Sequence, residues 1–332
     1  MATASVAAYQ ELQPDDILGS VESLGYRPDG RFLALNSYEN RVYQINLEDS
    51  EPIVAKFYRP GRWSNDAILE EHVFSIELAE QEVPVVPPLV HDGGTLHKHD
   101  KFRFAVYERR GGRTPELDDM DLLNQLGRFV ARMHLLGQTQ DFKYRPTLDL
   151  ESYGTRSHQY LMNNGFIPLY LEPAYTSLCD DLFDRIRNCH ALAGDTRQIR
   201  IHADFHPSNV LTTDDLVHIV DFDDARMGPA VQDLWMFLSG DREEQTPQLE
   251  ELLEGYTEFR EFDARELHLI EALRTLRIMH YAAWLARRWE DPAFEIAFPW
   301  FNTQRYWEDH ILALREQVAL MEEPPLAWGG HR

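Results

Sequence analysis

Four side chains in one short stretch have the types and spacing that chemistry asks for: His202, Asp204, Asn209 and Asp221. Asp204 is a carboxylate able to accept or orient a proton. Asn209 follows five residues later, and Asp221 comes after eleven intervening residues, delivered by the apolar run Val217, Ile219 and Val220 and backed by Asp223 and Asp224. A base-like carboxylate, an amide and a second carboxylate beyond a hairpin form a compact set for phosphoryl transfer from a magnesium-bound nucleotide. The same stretch permits a rival. His202, Asp204 and His206 alternate as metal ligands of a hydrolase do, and His91, His97, His99 and His134 are available to complete a set. In that scheme Asn209 and Asp221 have no task, whereas one Asn and one Asp suit Mg2+, a hard cation that keeps water and phosphate oxygens in its shell.

Lys56 stands inside an apolar strand, Val54 to Phe57, where an unpaired buried ammonium is disfavoured. Taken alone it reads as an edge-strand or surface lysine. The helix that follows offers Glu70 and Glu71, and a strand lysine paired to such a glutamate can hold the phosphates of ATP. The fifteen-residue step from Lys56 to Glu71 gains that meaning only beside the 202–221 stretch.

The elements that must position these groups can be read from periodicity. Pro14–Leu18 opens a helix that Gly25 ends, and strands follow over 32–35, 42–45 and 54–58, with a polar turn at Asn36–Asn40. A helix is expected over 64–81, capped by Ser64 or Asn65, with Ile68, Leu69, His72, Ile76 and Leu78 as its apolar stripe. Two more strands lie near 95–96 and 102–107. Gly111-Gly112 is the natural boundary, giving a β-rich region over 1–110 and a mainly helical one over 111–332. Helices are expected at 118–136, 172–190, 229–239, 264–289 and 303–320, with one strand pair flanking Thr212–Leu216, and residues 1–10 read as a loose tail.

Size and charge narrow the classes further. A chain of 332 residues exceeds what one core usually fills, so two lobes are expected. A net charge of −24 argues against nucleic acid and against anionic membrane surfaces as partners. Cys179 and Cys189 read as reduced core thiols. No basic segment leads into an apolar one at the N-terminus, and no run reaches the roughly 18 apolar residues of a membrane span, so a cytoplasmic protein is expected.

The spacing His202-x-Asp204-x-x-x-x-Asn209, followed by Asp221, resembles the catalytic and metal loops of the protein-kinase-like superfamily, in its aminoglycoside phosphotransferase/choline kinase branch. The resemblance is closer still to the bacterial stress response kinase A family. It is carried also by Leu35–Tyr43, Lys56–Trp63, Glu70–His72, Asp224–Met236, Ala283–Phe294 and Phe298–Trp300, and it spans about residues 10–325. It implies an α+β bilobal kinase-like fold, with ATP and Mg2+ as cofactors. It further implies phosphorylation of Ser/Thr hydroxyls in proteins, the chain itself included, during stress responses, by a protein expected to act as a monomer. Two alternatives stay open: a small-molecule kinase acting on an amino alcohol, sugar or aminoglycoside-like hydroxyl, and a nucleotide-binding pseudokinase. The roles implied at matching positions are Asp204 as base, Asn209 and Asp221 as Mg2+ ligands, and Lys56 with Glu71 (or Glu70) on ATP. Ser37 would lie over the phosphates, and Phe104–Glu108 would be the hinge that meets adenine.

Three departures from eukaryotic-type kinases stand out. Ser37–Arg41 replaces the glycine-rich loop, Phe222-Asp223 follows the metal Asp where Phe-Gly is usual, and no Ala-Pro-Glu segment follows. Outside the matched positions, Asp233 in its apolar surroundings reads as a brace on backbone N–H groups of the 202–209 loop. His134 reads as a core histidine, and Arg274, Arg277, Arg287 and Arg288 as a solvated helix face.

Overall fold

The computed structural model describes residues 12–213 and 216–329, so the tail expected at 1–10 lies outside the described residues. The fold is α+β, a five-stranded sheet in the N-terminal part and helices dominating the C-terminal part. The chain divides into two compact units. One runs to Glu116 and takes in Asp141–Arg145 and His206–Ala225; the other holds Leu117–Gln140, Pro146–Phe205 and everything from Arg226 on.

In the first unit, helix α1 (Pro14–Glu22) precedes strands β1 (Pro28–Ala34), β2 (Arg41–Leu47) and β3 (Ile53–Phe57). Helix α2 (Asn65–Glu80), capped by Ser64, leads to β4 (His97–His99) and β5 (Phe102–Glu108). The antiparallel sheet has the order β1-β2-β3-β5-β4. Strand period dictates which side chain goes where. Ile53, Ala55 and Phe57 join α1 and β5 in one core, with Ile17, Val21, Phe102, Phe104 and Val106. The alternate residues Val54 and Lys56 turn to the other face, where Lys56 lies opposite Val42 on one side and Ala105 on the other. The short strands β7 (Val210–Thr212) and β8 (Val217–Ile219) pair with each other, and β8 is fastened by reciprocal backbone bonds between Ile219 and Pro84/Val86. In α2 the buried set is Ile68, Glu71, His72, Phe74 and Leu78, whereas Leu69, expected in the apolar stripe, is 40% exposed.

The second unit is built on α3 (Met120–Gly137), α4 (Arg156–Asn163), α5 (Glu172–Ala193), a short α6 (Gln232–Trp235), α7 (Arg242–Thr257), α8 (Ile270–Arg287), α9 (Pro292–Ala297) and α10 (Gln304–Leu320). Strands β6 (Ile199–Ile201) and β9 (Arg226–Gly228) pair antiparallel. Its main core gathers Tyr175, Phe183, Met279, Phe294, Phe301, Trp307 and Leu314. Phe294, Phe298, Phe301 and Trp307 are buried in this packing, whereas Trp300 is 45% exposed.

Two expectations change in this unit. The run 229–239 is α-helical only over Gln232–Trp235; around it the backbone bonds span three residues, from Gln232 to Pro229 and from Leu238 to Trp235. Its apolarity reflects burial of most of the run, not helix length. The helix expected over 264–289 begins as a 3-10 turn, Ala264–Leu269, before the α-helix proper. Among the described residues no helix is long and apolar enough to cross a membrane.

Helices α3 and α7 approach so closely that backbone meets backbone. A Cβ built on Gly127 would stand 2.0 Å from the Leu252 carbonyl oxygen, and one on Gly255 would stand 1.9 Å from that of Asn124. Neither obstacle is a flexible side chain, so the helices would have to separate. Gly127→Ala is expected to lower stability by about 2–4 kcal/mol, read as a fall in the urea midpoint.

Candidate active site

Six residues singled out in the sequence line one cavity of about 290 Å³ in the first unit: Ser37, Lys56, Glu71, Glu108, Asn209 and Asp221. They come from the 35–37 loop, β3, α2, the end of β5, the 3-10 turn Pro207–Asn209 and the residue pair after β8. Leu35, Val42, Val54, Val86, Leu211 and Phe222 make much of the wall apolar. An apolar slot with a few converging polar groups is the usual form of a small-ligand site.

Lys56 is 6% exposed, and its Nζ lies 3.0 Å from Asp221 Oδ1 and 3.3 Å from Asp223 Oδ1. Burial works against the ammonium's charge, but Asp221, Asp223 and Glu71 outweigh it and hold the pKa well above the usual lysine value. Asp223 is buried as well. Its burial opposes ionisation, yet Arg62 and Lys56 draw its pKa down to about 2. Arg62 reaches Asp223 Oδ2 at 2.5 Å, Asp224 Oδ1 at 2.8 Å and Glu39 Oε2 at 3.3 Å. Arg59 donates to the carbonyls of Glu39 and Tyr38. The two arginines of the 59–62 turn thus hold the 38–40 loop and, through Arg62, the 223–224 carboxylates together.

Arg145, also buried, ties the same region from behind. Its guanidinium donates to the carbonyls of Ala67, Asp223 and Ala225 and lies over the Trp63 ring, 4.4 Å from its centroid. The start of α2 and the segment after Asp221 therefore share one donor. Asp221 itself has φ +63°, a left-handed conformation that an Asp tolerates better than most residues.

Asp204 belongs to the second unit, and its loop is held by α6. Asp233, fully buried, accepts from the N–H groups of His202 and Ala203, both at 2.8 Å, and from His134 Nε2 at 3.1 Å. A carboxylate only accepts, so His134 carries its proton on Nε2, and Nδ1, 3.0 Å away, accepts from the Tyr256 hydroxyl. Burial holds the His134 pKa down, and Asp233 opposes that. Gln232 Nε2 donates to the Ala203 carbonyl at 2.9 Å. Ala203 sits at φ +68°, a strained position for a residue with a Cβ. The Asp204 side chain meets Arg277 of α8, Nη1 to Oδ1 at 2.5 Å.

The model of the phosphotransferase enzyme family matches residues 31–270 of this sequence. Over 322 residues the chain is 44% identical to stress response kinase A of Escherichia coli strain K12, covering 97% of both chains. The chain belongs to the phosphotransferase enzyme family, in its stress response kinase A group. It is also 42% identical to the serine/threonine protein kinase RdoA of Salmonella typhimurium strain LT2, over 96% of each. In fold it is similar to the amicoumacin kinase hAmiN, solved with AMP-PNP and Ca2+, at a TM-score of 0.74, 19% identity and 97% of both chains. The family is one of kinases on this fold.

Several sequence expectations need adjusting. Glu70 is no partner for Lys56: its carboxylate accepts from the N–H groups of Lys143, Tyr144 and Arg145, at 2.6, 2.8 and 3.1 Å. Glu71 shares the cavity and the field of Lys56, but the ammonium's ion pairs go to Asp221 and Asp223. His202 is enclosed beside Phe205, ring centroids 5.3 Å apart, and among the described residues no cluster of three or more His, Cys, Asp or Glu is arranged to hold a metal. The arginines of α8 and the one that follows it are engaged and not simply solvated: Arg274 over Trp235, Arg287 over Tyr160, Arg288 over Trp284 and Arg277 on Asp204. Arg62, Arg145 and Gln232 were not singled out in the sequence. Arg62 carried a faint signal, a charge between Gly61 and Trp63 just after the Lys56 strand; Arg145 carried none.

Two outcomes follow. Asp233→Ala leaves two N–H groups and a histidine without their acceptor, so a loss of about 3–5 kcal/mol is expected in chemical denaturation. Glu71 is pushed up to about 7 by burial, against the pull of Lys56. A carboxyl with a raised folded-state pKa makes its full contribution below the unfolded value, near 4.5, and loses it as pH climbs through about 7. Between those limits the wild type should lose stability with rising pH more steeply than Glu71→Gln.

Proposed function

We propose that this chain is an ATP- and Mg2+-dependent serine/threonine protein kinase of a bacterial stress response, acting on other proteins and on itself. The observation that carries the proposal is the meeting of Lys56, Asn209 and Asp221 in one cavity, with Asp204 on a separately braced loop. The name of the Salmonella relative supports the protein-directed reading. The donor set fits the cofactors: an amide and a carboxylate of the kind Mg2+ prefers line the same cavity as a cation suited to phosphates. Mg2+ bound there would neutralise the charge of the transferring phosphoryl group.

Each residue then has a task. Asp204 accepts the proton of the substrate hydroxyl, or orients that hydroxyl toward the phosphoryl group. Asn209 and Asp221 hold the metal. Lys56, now paired to Asp221 and Asp223, presents its ammonium to phosphate oxygens, with Glu71 shaping its field. Ser37 and the 36–40 loop cover the phosphates, and the β5 end at Glu108 meets the base. We further propose that the protein works as a cytoplasmic monomer.

The test is incubation with γ-labelled ATP and Mg2+, with histone as a generic acceptor or with no acceptor. Label on Ser or Thr is expected, lost in Asp204→Ala by on the order of 10²–10⁴ in rate while nucleotide binding is largely kept. Asp221→Ala should weaken Mg2+-dependent nucleotide binding as well. Transfer to an amino alcohol alone would replace the protein-kinase reading with a small-molecule one, and binding without any transfer would point to a pseudokinase.

A further inference from the structure

We propose that Arg277 is a positioning residue for phosphoryl transfer, holding the Asp204 carboxylate and balancing its charge. The inference rests on the reading of Asp204 as the proton acceptor. Its structural basis lies wholly within the second unit. Asp204 is fixed by two elements that do different jobs. From α6, Asp233 and Gln232 hold the backbone at His202 and Ala203, which sets where the Asp204 Cα stands. From α8, Arg277 reaches the side chain, 2.5 Å from Nη1 to Oδ1, and so sets where the carboxylate points.

The helix that carries Arg277 is a firm support. Leu273, Leu276 and Met279 on its inner face are at most 2% exposed. One turn earlier, Arg274 is held over Trp235 and paired to Glu271 at 3.1 Å. A guanidinium projecting from such a helix is aimed, not merely nearby.

The pair's exposure argues for function over stability. The Arg277 and Asp204 side chains are 37% and 26% exposed, a setting in which an ion pair contributes little to folding. What the pair does is electrostatic and geometric. A bare carboxylate serving as base repels the anionic phosphoryl group that must approach the same hydroxyl. A guanidinium on Oδ1 cancels much of that charge while leaving an oxygen base in place. The stretch 202–209 contains no lysine or arginine of its own, with His206 two residues past Asp204, so the cation comes from another element of the fold.

The test is a double-mutant cycle on the full chain, measuring kcat and the KM for ATP for label transfer to histone, with the melting temperature followed in parallel. Arg277→Gln is expected to lower kcat by about 10- to 100-fold with the KM for ATP within about threefold of wild type, a split that places the loss in the transition state. Arg277→Lys should recover most of the loss, since it restores the charge. Combined with Asp204→Asn, Arg277→Gln should add little, because both act through one carboxylate. The inference is overturned by a kcat for Arg277→Gln within twofold of wild type, or by losses that multiply fully with those of Asp204→Asn. A fall in melting temperature that accounts for the lost activity, with no recovery in Arg277→Lys, would overturn it too. If Asp204→Asn alone keeps full activity, the proton-acceptor reading fails first and takes this inference with it.

Discussion

Everything in the sheet-bearing unit depends on burying one ammonium. Lys56 is placed on the inner face of a central strand by simple alternation, and a buried cation at that position requires carboxylates. Asp221 and Asp223 supply them, but two carboxylates so close to one another and to Asp224 need more positive charge than Lys56 alone provides. Arg62 answers that need, and in doing so draws in Glu39 and the 38–40 loop. Arg145 binds the carbonyls of Asp223 and Ala225 from the other side. The network is thus a chain of compensations starting from Lys56, and two of its members, Lys56 and Asp221, line the cavity. A buried ion network of this kind is weak evidence for stability, since desolvation consumes much of the attraction. Its worth is that the site is held in shape.

The helical unit solves a similar problem with one residue. Asp233 satisfies two backbone donors and one imidazole in a setting closed to water, so its burial is fully matched by hydrogen bonds. His134 is in turn fixed by Tyr256 on α7, and α7 lies against α3 at glycine-permitted distance. The close packing of Gly127 and Gly255 and the placing of the His202–Asp204 loop are therefore linked through a short series of contacts within one unit.

How much of this could be read from the sequence follows physical lines. Strands with clean alternation and helices with capped apolar stripes were legible, as at β3 and at α10, whose Thr303 cap accepts from Tyr306 N–H. The cavity set was legible because Asn209 and Asp221 stand at a telling spacing from Asp204, beside which a lysine inside an apolar strand gains meaning. Helix α7 was missed: it carries Pro247 inside it, and its acidic first turn looks like a solvated loop, although Asp241 and Glu244 form a capping box that signals a start. Glu70 and Glu71 could not be told apart from spacing, since one residue on a helix turns a side chain by about 100°. That rotation sends Glu71 to the cavity and Glu70 to the N–H groups of 143–145. Arg145 was invisible because its partners are carbonyls, which every residue carries and no sequence pattern marks.

The backbone records where the fold yields to the site. Ala203 and Asp221 both hold positive φ angles that L-residues avoid, at a cost on the order of 1–3 kcal/mol each. Such conformations persist only when their surroundings over-determine them. Around Ala203 that role falls to Asp233 on the N–H and Gln232 on the carbonyl. Around Asp221 it falls to the Lys56 ion pair and to the bond from the neighbouring Val220 N–H to the Asn209 carbonyl. The residue beside the proposed base and the proposed metal ligand are thus the two non-glycine positions with positive φ among the described residues of 201–224. Around Ala203 the overruling contacts come from the Asp233 and Gln232 side chains; around Asp221 they come from the Lys56 side chain and a backbone bond. Sites that must hold a single geometry through a charge-transfer step are where such strain is best tolerated, because relaxing it would release the groups the reaction needs fixed.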